Sequence, residues 1–494
     1  KKCFWAPAGP ERRSDQKRVY ANLRRSFAGH SGSGVVALGI GKDKGSHTMD
    51  RTRWRAKFRT ALRRLTALVV GVVVGAGIMV SAAAQPQNEA TDGAIYLTAD
   101  HLVDVRNGVR VPAAAIVIRD SVIEAVGTSA TLPVPSGARV MTMPPGMTLM
   151  PGLIDMHVHI TGNPQRGDRS RPEQFEVIHG LVNAKKTLLA GFTTIRNVGA
   201  SRYTDVALRD AINDGLIEGP RMFVSGPPVG IIGGHCSDDT YSPPEDQSFG
   251  ENIATGPWEM RAQVRKNIKY GVDLIKTCST GGVFSRGTLL GAPQGTVDEL
   301  KAIADEAHMR GLKVAAHAHG TTGIKNALKA GIDTIEHASF LDDEAIRMAK
   351  KSGAFLSMDI YNTEYTLSKG AENGVSEESL NKEREVGTIQ RESFAKAVKA
   401  GAKIILGTDA AIFPHGDNAK QLSRMVQFGM TPAQALRAAT SLAAEALGRD
   451  ADLGQLAPGF RADIIAVKGD PLTDVSVLET VEFVMKDGVV YKAP

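Results

Sequence analysis

Pro151-Gly152-Leu153-Ile154-Asp155-Met156-His157-Val158-His159 is an apolar run that closes on two histidines. Residues two apart on a strand face the same way, so this spacing points the imidazoles of His157 and His159 in one direction. Imidazole is the commonest metal ligand in proteins, and two of them at one strand end make half of a metal site. Taken alone, the pair reads equally well as two surface histidines on a half-buried strand. The other strand ends of the chain decide between these readings.

From residue 147 onward, short β-branched runs alternate with longer amphipathic stretches. The runs fall at 193–198, 222–225, 274–277, 313–317, 334–337, 354–357 and 403–407, and with the strand ending at His159 they number eight. Helices are expected at 174–190, 259–270, 296–310 and 382–400 between them. Repeated strand–helix units imply a parallel sheet, and eight such units close a barrel. The expected fold is therefore α/β, a (β/α)8 TIM barrel over residues 147–447. Short strands at 95–97, 114–118 and 122–126 lie in segment 85–146, and others at 463–467, 481–485 and 489–491 lie in segment 448–494. These two groups are expected to pair into a small β-sandwich lobe.

In a parallel barrel the C-terminal strand ends converge on one mouth. Lys276 follows Asp273-Leu274-Ile275, His317 follows Val314-Ala315-Ala316 with His319 two residues on, His337 follows Thr334-Ile335-Glu336, and Asp409 follows Ile404-Ile405-Leu406-Gly407-Thr408. Unpaired lysine and aspartate are costly to bury, so a purely structural role for all of these groups is hard to justify. Their convergence points to a metal site.

The chain has 494 residues and a formal net charge of +6, but the charge is unevenly placed. Residues 1–84 hold 17 basic and 4 acidic side chains, which leaves 42 basic against 49 acidic in the remainder. An acidic body gives no reason to expect nucleic-acid binding. Segment 49–84 reads as a signal peptide: a basic stretch from Arg51 to Arg64, an apolar stretch over 65–80, then Ala82-Ala83-Ala84. The apolar stretch is shorter than the ~20 residues a spanning helix needs, so no stable membrane span is expected after cleavage. The mature protein is expected to be periplasmic or secreted. Residues 1–48 resemble no folded segment and read as a non-native or disordered leader. Cys236 and Cys278 are the cysteines beyond this leader, and sequence leaves open whether they bridge or stay reduced.

The motif ending in His157 and His159, with Lys276, His317, His337 and Asp409 at later strand ends, resembles the amidohydrolase superfamily. Lys276-Thr277-Cys278-Ser279-Thr280-Gly281-Gly282, Ala316-His317-Ala318-His319-Gly320 and Glu336-His337-Ala338-Ser339 look like its Xaa-Pro dipeptidase and imidazolonepropionase-related branch, close to bacterial ochratoxin-A-hydrolysing members. The resemblance implies two divalent metal ions. His157, His159 and Asp409 would hold one, His317 and His337 the other, and Lys276 would bridge both as a carboxylated lysine. An ammonium is all donor and cannot ligate a cation, whereas a carbamate presents two oxygens. Zinc suits imidazole and carboxylate ligands best.

The implied reaction is amide hydrolysis of N-acyl or N-aminoacyl amino acids, small-molecule or dipeptide substrates, by a homo-oligomer. Asp409 would serve as base and then acid. His235, in Gly233-Gly234-His235, is a further catalytic and substrate-binding candidate, joined by His319, Arg286 and Tyr361 as substrate contacts. The insertion over 230–258, with Pro243-Pro244, reads as a lid. Competing readings are a cyclic-amide hydrolase, a lactonase or phosphotriesterase, and a catalytically dead barrel used for interaction. The filled ligand set speaks against the last.

Overall fold

The computed structural model describes residues 93–164, 174–237 and 251–494. The leader, the signal-peptide segment and the middle of the expected lid lie outside the described residues.

β1 (Ile95–Asp104), β2 (Val109–Arg119), β3 (Val122–Thr128), β4 (Arg139–Thr142) and β5 (Met147–Pro151) come first. β1, β2 and β3 pair antiparallel in succession, and β4 and β5 join β1 in parallel. Leu97, Ile116, Ile118 and Leu149 turn inward from these strands onto one buried cluster.

Eight parallel strands follow: β6 (Leu153–Val158), β7 (Phe192–Asn197), β8 (Arg221–Val224), β9 (Leu274–Cys278), β10 (Lys313–Ala318), β11 (Thr334–His337), β12 (Phe355–Ser357) and β13 (Ile404–Ile405). They form two hydrogen-bonded arrays, β6-β7-β8 and β9-β10-β11-β12-β13. Two seams connect the arrays. Val158 bridges to Ala410 in parallel, and the Met156 amide donates to the Leu406 carbonyl at 2.9 Å. On the other side Val229 bridges to Thr277, and the Asp273 amide donates to the Val224 carbonyl at 2.8 Å.

Helices alternate with these strands, beginning with α1 (Gln174–Leu189), α2 (Thr204–Asn213), α3 (Gly256–Lys269), α4 (Val297–His308), α5 (Thr321–Ala330) and α6 (Asp343–Ser352). α7 (Asn362–Lys369) and α8 (Glu377–Lys399) separate β12 from β13, and α9 (Lys420–Gln427), α10 (Pro432–Ala438) and α11 (Ser441–Leu447) follow β13. Their starts follow local chemistry: Thr296 and Thr431 each close a reciprocal capping box, and Asp342 and Ser376 cap α6 and α8. The apolar helix faces and strand side chains share the main core, which includes Leu188, Phe192, Ile195, Val314, Ile335 and Phe394.

β14 (Ile464–Lys468), β15 (Val481–Lys486) and β16 (Val489–Lys492) return to the first sheet, where β14 lies antiparallel to β5. N- and C-terminal strands thus share one sheet, and Phe483 and Met485 share the cluster of Leu97 and Ile118. No helix among the described residues is long and apolar enough to cross a membrane.

Candidate metal centre

His157 lies on β6 with His159 just past its end, Lys276 lies on β9, His317 on β10 with His319 just past it, His337 closes β11, and Asp409 follows β13. All seven line a single cavity of about 250 Å³, together with His235. The rings of His157 and His337 are 5.0 Å apart, and those of His317 and His337 4.6 Å. Asp409 Oδ1 sits 3.5 Å from His157 Nε2 and 3.4 Å from His159 Nε2. Two triads have ligand atoms close enough to share a cation: His157, His337 and Asp409, and His317, His319 and His337. Lys276 lines the same cavity and is buried at 4% exposure.

The ring nitrogens facing away from the cavity are held. His157 Nδ1 is 2.8 Å from Glu336 Oε2, whose other oxygen accepts from Arg196 at 2.7 Å. His337 Nδ1 is 2.8 Å from Asp359 Oδ1, which also accepts from Gln390 Nε2 at 3.0 Å. His319 Nδ1 is 2.7 Å from Ser339 Oγ. Hydrogen bonds of this kind orient an imidazole and leave Nε2 for a metal.

Electrostatics agree with that use. Burial, reinforced by Lys276, lowers His157 to about 4, and burial among other imidazoles takes His317 and His319 well below the usual range. Neutral imidazole is the ligating form. His337 moves the other way: burial opposes protonation, but the Asp359 carboxylate outweighs it. Glu336 stays ionised because Arg196 and His157 overcome the cost of its burial. Burial brings Lys276 down to about 8 against the pull of Glu336 and Asp409, so its neutral amine is within reach near neutral pH.

The backbone is strained at two of these positions. His337 and Asp409 have φ of 68° and 56°, the left-handed region that non-glycine residues rarely occupy. Such outliers persist where surrounding structure over-determines them, often at active sites.

The substrate candidates divide. The His235 ring stacks on His317 with centroids 3.9 Å apart, and His319 lies 4.7 Å from both His317 and His337. Arg286 is exposed and lies apart from the cavity lining, while Val283 and Phe284 of the same loop face in. Tyr361 is buried, but its ring packs on Phe413 at 5.0 Å instead of lining the cavity. Cys236 and Cys278 form a disulfide that ties the His235 loop to the strand of Lys276.

Glu336, Arg196, Asp359, Asn362 and Gln390 escaped the sequence reading. Arg196 and Glu336 carried a usable signal, since each interrupts an otherwise uncharged strand. Asp359 carried one as well, as a carboxylate between Met358 and Ile360 just past β12, whereas Asn362 and Gln390 carried none, because each sits in a helix where a polar residue suits the surface.

A strand-end constellation of this kind on alternating β and α elements defines a class. The chain belongs to the amidohydrolase family, whose model matches residues 148–492. It is 33% identical to ochratoxinase of Aspergillus niger over 407 residues, which is 77% of this chain and 83% of that protein. The crystal structure of A. niger ochratoxinase superposes with a TM-score of 0.73 at 31% identity, covering 81% of this chain and 96% of that one. A Xaa-Pro dipeptidase with methionine bound in its active site gives a TM-score of 0.78 at 34% identity, covering 81% and 100%. A prolidase complexed with N-methylphosphonate-L-proline gives 0.75 at 29%, covering 81% and 100%. The chain is thus a hydrolase acting on C–N bonds.

Proposed function

We propose that this enzyme is a binuclear metal-dependent amidohydrolase that releases the C-terminal amino acid from N-acyl or N-aminoacyl amino acids, ochratoxin A being one such amide. In this reading the eight parallel strands close into a barrel along the two seams, and residues 49–84 direct export.

The observation that carries it is the meeting of His157, His159, His317 and His337 with the buried Lys276 and Asp409 in one cavity. That donor set fits two divalent cations. His157, His159 and Asp409 would hold the first, His317 and His337 the second, and Lys276, carboxylated through its neutral amine, would bridge them. Zinc suits these ligands best. When bound, such a pair supplies an acidified water and a polarised substrate carbonyl.

The remaining chemistry belongs to the chain. Asp409 accepts the proton of the attacking water and passes it to the departing amine nitrogen. Asn362 Nδ2, 3.3 Å from Asp409 Oδ2 and 3.0 Å from Asp359 Oδ2, steadies that carboxylate. His235, stacked beside His317, would donate to the carbonyl oxygen. Val198, Val283, Phe284 and Val386 give the cavity an apolar wall that excludes water and accepts an apolar side chain. The substrate class is supported by the ochratoxinase and dipeptidase relatives, and by a prolidase that binds a proline-containing ligand.

The test is a panel of N-acyl-phenylalanines, ochratoxin A and Xaa-Pro dipeptides against cyclic ureides, with wild type and Asp409→Asn. Linear amides should turn over. Asp409→Asn should melt as wild type does and lose about 10²–10⁴-fold in kcat. Full activity in the variant would remove Asp409 as the proton shuttle, and purification without metal after growth in zinc would remove the binuclear reading.

A further inference from the structure

Glu383 of α8 is 4% exposed, lines the cavity and has no place in the chemistry above. It shares one helix face with Val386 and Gln390, at positions i, i+3 and i+7, and all three border the cavity. Gln390 reaches the metal end of that face, donating to the His337 carbonyl at 3.2 Å and to Asp359 at 3.0 Å. The helix is tied to the loop that carries Val283 and Phe284, where Lys382 Nζ donates to the Ser285 carbonyl at 2.7 Å. Glu383 is therefore held against the bound substrate's space.

Its carboxyl has the Thr363 hydroxyl beside it, and no ion pair to it exists among the described residues. Burial, with the negative charge of Asp359 adding to it, pushes the group up to about 7. A buried carboxyl without a cation is costly, and the cost is relieved by a partner that brings positive charge. Arg391 and His337 act on the Glu383 carboxyl electrostatically without forming an ion pair, and among the described residues no lysine or arginine apart from Lys276 lines this cavity, which leaves a place for a cation brought by the substrate.

We propose, resting on the amide-hydrolase reading, that Glu383 is a specificity-determining residue that pairs with an ammonium group of the substrate. The neighbouring Val386, Val283 and Phe284 would cover the apolar part of the same molecule. The ammonium has two possible sources, the α-amine of an N-aminoacyl group or the side chain of a basic amino acid.

Two pairs that differ only by an ammonium group separate them: alanyl-phenylalanine against N-propanoyl-phenylalanine, and N-propanoyl-lysine against N-propanoyl-norleucine. In wild type one pair should favour its ammonium-bearing member by about 10-fold or more in kcat/KM, the range expected of a charge-assisted contact. Glu383→Gln, which keeps the shape and removes the charge, should bring that ratio to near unity. A merely structural role would lower both members alike and leave the ratio intact, which overturns the proposal. So does a wild type without preference in either pair, a result that stands even should the variant fail to fold. Turnover of propanoyl substrates without preference rejects the role of Glu383 alone, whereas no turnover of any of the four rejects the amide-hydrolase reading with it.

Discussion

A single imidazole shows how placement sets protonation here. His415 is not a candidate ligand, yet it is buried, with Nε2 3.2 Å from the His159 carbonyl and Nδ1 3.3 Å from Thr187 Oγ1. Burial lowers it to about 4, against the raising effect of the His159 carbonyl. In the unfolded chain it titrates near the ordinary histidine value of 6.5. Between those values the unfolded state binds the extra proton, so stability rises with pH there and falls as the solution is acidified. The contribution is full above the unfolded value and amounts to about 3 kcal/mol lost on reaching the folded one. Urea denaturation of metal-stripped protein at pH 7 and at pH 5 should show a smaller difference in His415→Gln than in wild type; equal differences would refute this. The candidate ligands themselves were legible because strand ends announce themselves by spacing. Of their supports, Glu336 and Arg196 were legible only as charges inside strands; that they meet across the interior from β11 and β7 is recorded by no local pattern.

At the level of elements, close approach decides what each loop can carry. A Cβ on Gly282 would lie 2.5 Å from His235 Cε1 and 2.9 Å from His317 Cε1, so this loop can pass the stacked rings only without a side chain. Gly282→Ala should displace His235 and lower kcat/KM by about 10²-fold, the scale of an ångström's misplacement at a reacting centre. The same Cβ would press on His317, so bound metal is measured in parallel, and unchanged kinetics would free His235 from any role. The disulfide from Cys236 holds the same loop from its other side. Strands β6 to β13 match the runs read from sequence, because β-branched runs between turn residues are a short-range signal. Gly152 shows where that signal runs out. The barrel is expected from residue 147, yet β5 pairs with β1 and β14 while β6 pairs with β7. The break falls at Gly152, where a Cβ would lie 2.1 Å from Thr193 Oγ1.

Over the whole molecule, the β sheet of the two chain ends is fastened to the parallel strands by charge as well as by pairing. Arg221, at the start of β8, pairs with Asp463 before β14 and with Asp487 in the β15–β16 turn, and Lys486 Nζ donates to the Gly219 carbonyl. Arg221 and Asp463 are largely buried, so truncating one leaves the other uncompensated. Arg221→Ala should cost about 3–5 kcal/mol in chemical denaturation. It should leave kcat close to wild type, because Arg221 lies at the N-terminal ends of the strands, away from the cavity. A stability loss under 1 kcal/mol (roughly the worth of an exposed pair) would show that this tie is only superficial.

The chain's own order of residues determined the α/β alternation, the eight strands, the terminal strands that share a sheet, and the histidines, lysine and aspartate at the strand ends. Each of these depends on periodicity or on spacing along one strand, which neighbours in sequence are enough to set. Only the tertiary structure decided which residues brace those side chains, that Arg286 and Tyr361 are not among the residues lining the cavity, that Cys236 meets Cys278, and that Glu383 presents a buried carboxyl to the cavity. These depend on distances between groups far apart in sequence, and such distances exist only once the strands have come together around a common interior.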